Sequence, residues 1–120
     1  MFVAKKKVLL LVKANPSPFA KEVLRYQEEL IMKSIDISEV TICGVYDFIG
    51  KELNYKSFKE TSLIQKIRAG YVDQVLVISK HVISSDISVC DDFEYFCKFH
   101  GVSLVEVSLL FKLLDEINKT

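Results

Sequence analysis

The feature that most constrains this chain is an alternation repeated along its length. Short, uninterrupted apolar runs take turns with longer stretches whose apolar residues recur every three or four positions. Residues 8–12 are five apolar residues in a row, the pattern of a strand buried on both faces. Asn15-Pro16-Ser17-Pro18 breaks that run. From about 19 to 34, Ala20, Val23, Leu24, Gln27, Leu30 and Ile31 fall on one stripe, which predicts an amphipathic helix. A second strand is expected over 40–46, a polar loop over 47–56, and a helix over about 57–69 with Leu63, Ile64 and Ile67 inward. Gly70 is well placed as the C-terminal cap of that helix. A third strand follows at 75–78. The third helix spans about 88–100, with Val89, Phe93, Phe96 and Cys97 on one face, and Gly101 ends it. The fourth strand is expected at 104–107. A last helix is expected over about 108–118, with Leu110, Leu113, Leu114 and Ile117 in register.

Strand-helix alternation of this kind argues an α/β protein. The expected fold is a three-layer α-β-α arrangement around a mostly parallel sheet of about four strands in flavodoxin-like order. With 120 residues, the chain is expected to form one domain spanning 1–120. In such open sheets, ligands and chemistry gather beyond the carboxyl ends of the strands. Segments 13–18, 47–55 and 79–86 are therefore expected to meet at one site.

Composition narrows the function classes. Half the residues are hydrophobic and 27% are charged, which supports a real core. Sixteen basic and sixteen acidic residues cancel, so no global field draws the chain to nucleic acid or anionic lipid. Lys5–Lys7, the KKK run, reads as the solvated edge of the first strand. Cys43, Cys90 and Cys97 form no CxxC pair and no zinc spacing, and read as free thiols of a reducing compartment. Near the N-terminus a basic run precedes only five apolar residues, too few for a signal sequence or a membrane span. A cytoplasmic protein is expected, with no metal, no cofactor and no membrane partner.

The loops offer limited chemistry. The first, KANPSP, has no glycines to cradle a phosphate, and its two prolines remove N–H donors. Ser17 reads as a helix N-cap followed by proline, or as a nucleophile if some group takes its proton. Gln27 reads either as a polar residue at the edge of its stripe or as an amide reaching toward the strand ends. Asp73 stands just before the third strand and reads as structural. The loop after that strand carries Lys80, His81 and three serines without an arginine. His100 sits where a helix end welcomes positive character. Tyr95 and Phe99 read as an outward aromatic pair that marks a partner surface.

Read in order, these segments resemble the catalytic domain of the resolvase/invertase family of serine site-specific recombinases. "LIQKIRAGYVDQVLVISKHVISS" followed by "DDFEYFCKFHGVSLVEVS" resembles that family's run of helix, glycine, V-D, apolar strand, an L-D-R-L-S-R loop, helix and a "GV.L" strand. Gly70, Asp73, Ile83, Ser84 and Gly101-Val102-Ser103-Leu104 match in order. "VLLLVKANPSPFAKEVLRYQEEL" resembles the opening strand with its Y-x-R-V-S, and "GVYDFIGKELN" resembles the segment "vy.D..SG". The resemblance covers nearly the whole chain. It implies DNA recombination by a serine that attacks a phosphodiester, with arginines steadying the charge of the transition state.

The same matching finds that machinery replaced. The first-strand arginine falls on Lys13 and the nucleophilic serine on Asn15, an amide that cannot attack. The arginine before the second helix falls near Glu60. In the loop, the aspartate has become His81 and the two arginines Val82 and Ser85. Gln27, Asp47 and Asp73 remain as matches. The resemblance therefore implies a resolvase-like pseudoenzyme that serves as a protein-interaction or regulatory module. It would act as a homodimer or in a heteromer with an active recombinase, with weak DNA binding and without the family's separate DNA-binding domain. The rival readings are an active recombinase, with Ser17 attacking while Lys13 and Lys80 hold the phosphate, and a small-ligand-binding α/β domain.

Overall fold

The computed structural model describes residues 5–49, 62–84 and 86–107. Glu60, Ser85, the segment 50–61 and the expected last helix over 108–118 lie outside the described residues.

Among the described residues, four strands and three helices alternate in the predicted order. They are β1 (Lys6–Ala14), α1 (Ala20–Ser34), β2 (Val40–Ile49), α2 (Ser62–Arg68), β3 (Gln74–Val77), α3 (Ile87–Phe99) and β4 (Ser103–Glu106), with a 3-10 turn at Lys80–Val82 between β3 and α3. All strand pairs are parallel, in the order β2-β1-β3-β4. Strand β1 is central, and its alternating side chains divide the interior in two. Val8, Leu10, Val12 and Ala14 pack with Ala20, Leu24 and Ile31 of α1. Leu9 and Leu11 pack with Leu63, Ile64 and Ile67 of α2 and Phe93 and Cys97 of α3. Both faces of the sheet are thus covered by helix, which is why β1 reads as a continuous apolar run.

Strand β2 departs from the expectation in length and in phase. It runs to Ile49, so Asp47 lies in a strand, beside Val12, and not in a loop. Its register against β1 shifts between Val8 and Leu9, where Val8 pairs with Ile42 and Leu9 with Gly44, leaving Cys43 as an extra residue. A one-residue bulge reverses which face the following side chains occupy. Val40 and Ile42 accordingly join the α1 side of the core, whereas Tyr46 and Phe48 join the α2–α3 side.

Helix α1 begins one residue later than expected, and Ser17 is not its N-cap. That place is held by Phe19, which makes no side-chain capping bond. The Ser17 hydroxyl instead accepts from the Phe19 N–H at 3.2 Å, a local turn ahead of the helix. Gly70 and Gly101 follow α2 and α3 with φ of 74° and 75°, the left-handed conformation that terminates helices.

Candidate active-site cleft

The carboxyl ends of β1 and β3 open into a cleft of about 370 Å³. Lys13, Ala14 and Asn15 line it from the end of β1, and Val23 and Gln27 from α1. Ile78, Ser79, His81 and Val82 line it from the segment after β3. Four of the seven residues singled out from the sequence, Lys13, Asn15, Gln27 and His81, therefore meet there. The other three, Ser17, Asp73 and Lys80, do not line it.

The floor of the cleft is built by Gln27. Strand β1 outruns its neighbour: the β1–β3 ladder ends with Leu10 opposite Leu76. The Lys13 N–H donates to Gln27 Oε1 at 3.1 Å, and Gln27 Nε2 donates to the Lys13 carbonyl at 2.6 Å. The side-chain amide replaces one step of the missing strand, satisfying a half-buried donor and acceptor together. Asp73 does the same work at the opposite end of β1. Its carboxylate accepts from the Lys7 N–H at 2.8 Å, and its own N–H donates to the Lys7 carbonyl at 2.7 Å. Asp73 is thus at the amino end of the sheet, far along β1 from the cleft.

The wall after β3 is held from below. The Ser79 hydroxyl accepts from the His81 N–H at 3.2 Å and starts the 3-10 turn. Ile83 is fully buried, and so is Ser84, whose hydroxyl accepts from the Asp86 N–H at 3.0 Å. The buried Cys90 thiol lies 3.2 Å from both the Lys80 and Ser84 carbonyls. Burial raises that thiol above its usual range. Glu106 at the end of β4 accepts from the Lys80 N–H at 2.8 Å.

The Lys80 ammonium turns away from the cleft and meets Glu94 of α3 at 3.0 Å. That hydrogen bond, with the charges of Glu94, Glu106 and Asp91, holds Lys80 above the ordinary lysine range despite partial desolvation. A lysine committed to a carboxylate is poorly placed to grip a phosphate. The chain contains two arginines, Arg25 and Arg68, and neither lines the cleft. Among the described residues, no group of three or more metal-ligating side chains comes together, and no helix is long and apolar enough to cross a membrane.

Sequence reasoning missed Glu94, Glu106 and Cys90 as parts of this site. They lie 14, 26 and 10 residues from Lys80, and no local pattern connects them. Their only sequence signal was that they project from elements expected to pack beside the third loop.

No family model matches the chain, and no curated protein matches it. Solved structures do. The C-terminal catalytic domain of ISC1926 TnpA, an IS607-like serine recombinase, is 19% identical with a TM-score of 0.71, covering 94% of this chain and 81% of that one. A resolvase family site-specific recombinase from Streptococcus pneumoniae is also 19% identical at a TM-score of 0.71, covering 96% of this chain and 87% of that one. A serine recombinase from Sulfolobus solfataricus is 25% identical at a TM-score of 0.64, covering 86% and 69%. With the parallel 2-1-3-4 sheet and the cleft at its carboxyl ends, these likenesses give the chain the fold of a resolvase-like serine recombinase catalytic domain.

Proposed function

We propose that this recombinase-related domain no longer cleaves DNA and acts as a protein-interaction or regulatory module, either as a homodimer or paired with an active recombinase. The lining of the cleft carries the proposal. Where the resemblance places a nucleophilic serine there is Asn15, and no arginine stands around it. Phosphoryl chemistry depends on fixed positive donors aimed at developing charge, and losing one such donor lowers the rate by about 10²–10³. Here the nucleophile and several donors are replaced together, and Lys80 is held by Glu94.

The rival reading, attack by Ser17, has the weaker support. Ser17 is exposed, and its hydroxyl already serves the turn before α1 by accepting from the Phe19 N–H. A nicked suicide duplex incubated with the protein separates the two. The expected outcome is no covalent protein–DNA adduct. An adduct that disappears in Ser17→Ala establishes cleavage and ends the proposal. Mixing the chain with an active recombinase of the same fold tests the regulatory half: strand exchange falls if mixed assemblies form, and unchanged exchange rejects that pairing.

A further inference from the structure

We infer that the pole opposite the cleft is a binding surface for single-stranded nucleic acid. At this pole the amino ends of the strands meet the carboxyl ends of α2 and α3, because each helix of a βαβ unit runs back against its strands. Contacts join the parts directly. The Tyr71 N–H donates to the Lys66 carbonyl at 3.1 Å, and Asp73 bridges from Lys7 of β1 to the Ser103 N–H of β4.

Two independent observations coincide there. The first is charge: Lys7, Lys66, Arg68 and Lys98 gather at the pole, with His100 beside them. The carboxylates at this end are Asp73, which accepts from the Lys7 N–H, and Asp36 and Glu39 just ahead of β2. The four cations outnumber these three carboxylates, although the Lys66 ammonium donates to the Cys43 carbonyl at 3.4 Å, so the end carries a modest positive excess centred on Arg68 and Lys98. The second is exposed ring surface. Arg68 lies over the Phe96 ring, 5.9 Å from its centre. His100 stands edge-on to Phe96 at 4.9 Å and to Phe99 at 5.1 Å. Phe99 is 74% exposed and Tyr71 is 63% exposed.

Cations at helix carboxyl ends also offset the helix dipole, which by itself accounts for the placement of Lys66, Arg68 and Lys98. It does not account for two large rings left in water beside them. Rings that accept stacked bases, next to cations that accept phosphates, are the pairing that single strands require. A duplex keeps its bases stacked inside and would meet only the cations. This surface shares no residue with the cleft, so the inference stands apart from the proposed loss of cleavage.

The test is fluorescence anisotropy with a labelled oligo-dT of about 20 nucleotides and a duplex of the same length, titrated from about 50 to 200 mM salt. Binding of oligo-dT is expected to weaken with salt, with a log–log slope of about −0.7 for each phosphate contact. Arg68→Ala and Lys98→Ala should each reduce that slope by about 0.7. Tyr71→Ala and Phe99→Ala should each weaken oligo-dT by roughly tenfold and leave the duplex unchanged. All four side chains lie on the exposed surface, and circular dichroism verifies that each variant is folded. Lys13→Ala with His81→Ala, in the cleft, should have no effect. The inference is overturned by an absence of oligo-dT binding at the lowest salt, by binding that the cleft pair abolishes and the pole variants do not, or by duplex binding of equal strength that ignores both rings.

Discussion

At Lys13 strand β1 has run past the end of its ladder with β3, and the peptide groups on that side still need partners. Gln27 supplies both. Gln27→Leu keeps the volume but strands a half-buried N–H and C=O. It should destabilise the fold by about 1–3 kcal/mol, read from urea midpoints. Gln27→Glu keeps the acceptor for the Lys13 N–H and loses the donor, so it should fall between parent and Leu. Cys97 offers a second test at this scale. Burial, reinforced by the charge of Glu94, pushes its thiol up to about 12. A folded value above the unfolded one, about 8.5, means the native state holds the proton more tightly. That contribution is complete below about pH 8.5 and is lost as pH rises through about 12. Cys97→Val removes the titration. Stability measured from pH 8 upward should therefore decline less steeply in the variant than in the parent. Equal slopes would show that Cys97 contributes nothing to alkaline unfolding.

At the scale of the element, α2 and α3 are each ended by a position that only a few residues fit. Gly70 has φ of 74° and an added Cβ would meet nothing within 4 Å, so the cost of a side chain there is conformational, not steric crowding. Gly70→Ala should cost about 1 kcal/mol, and Gly70→Asn clearly less, because asparagine tolerates the left-handed region. Comparable losses for the two would argue that packing decides this turn. Both glycine caps were legible in the sequence, since each follows a periodic apolar stretch. The N-terminus of α1 was not. Ser17-Pro18 has the composition of a cap and first turn, but the chain spends both residues on the preceding turn. The bulge at Cys43 was likewise hidden, because apolar residues at 40, 42, 46 and 48 suggest one continuous face. Only pairing with β1 reveals that they occupy two.

For the whole molecule, the order β2-β1-β3-β4 puts the two most apolar strands in the centre and the mixed ones at the edges. Val8, Leu9, Leu10, Val75 and Leu76 are covered on both sides. Their amides should be the slowest to exchange with deuterated water, opening only with global unfolding, while those of β2 and β4 exchange sooner. Slowest exchange in β2 would place the stable unit elsewhere. The same arrangement sets two opposed ends. The cleft sits at the carboxyl ends of β1 and β3, and the aromatic, positively charged surface sits at the amino ends.

The sequence by itself determined the element types, their order, the glycine caps and the parallel three-layer architecture. Each follows from local periodicity and local chain chemistry, which a single sequence displays directly. It also located the loop ends where a site should form, and Lys13, Asn15, Gln27 and His81 do meet there. Tertiary structure alone decided what those side chains do. Gln27 and Asp73 complete the two ends of β1, and Lys80 is drawn to Glu94. These roles arise from partners 14 to 66 residues away. A polar side chain bonds whatever unsatisfied group the packed chain brings within reach, and that pairing exists only once the sheet has formed.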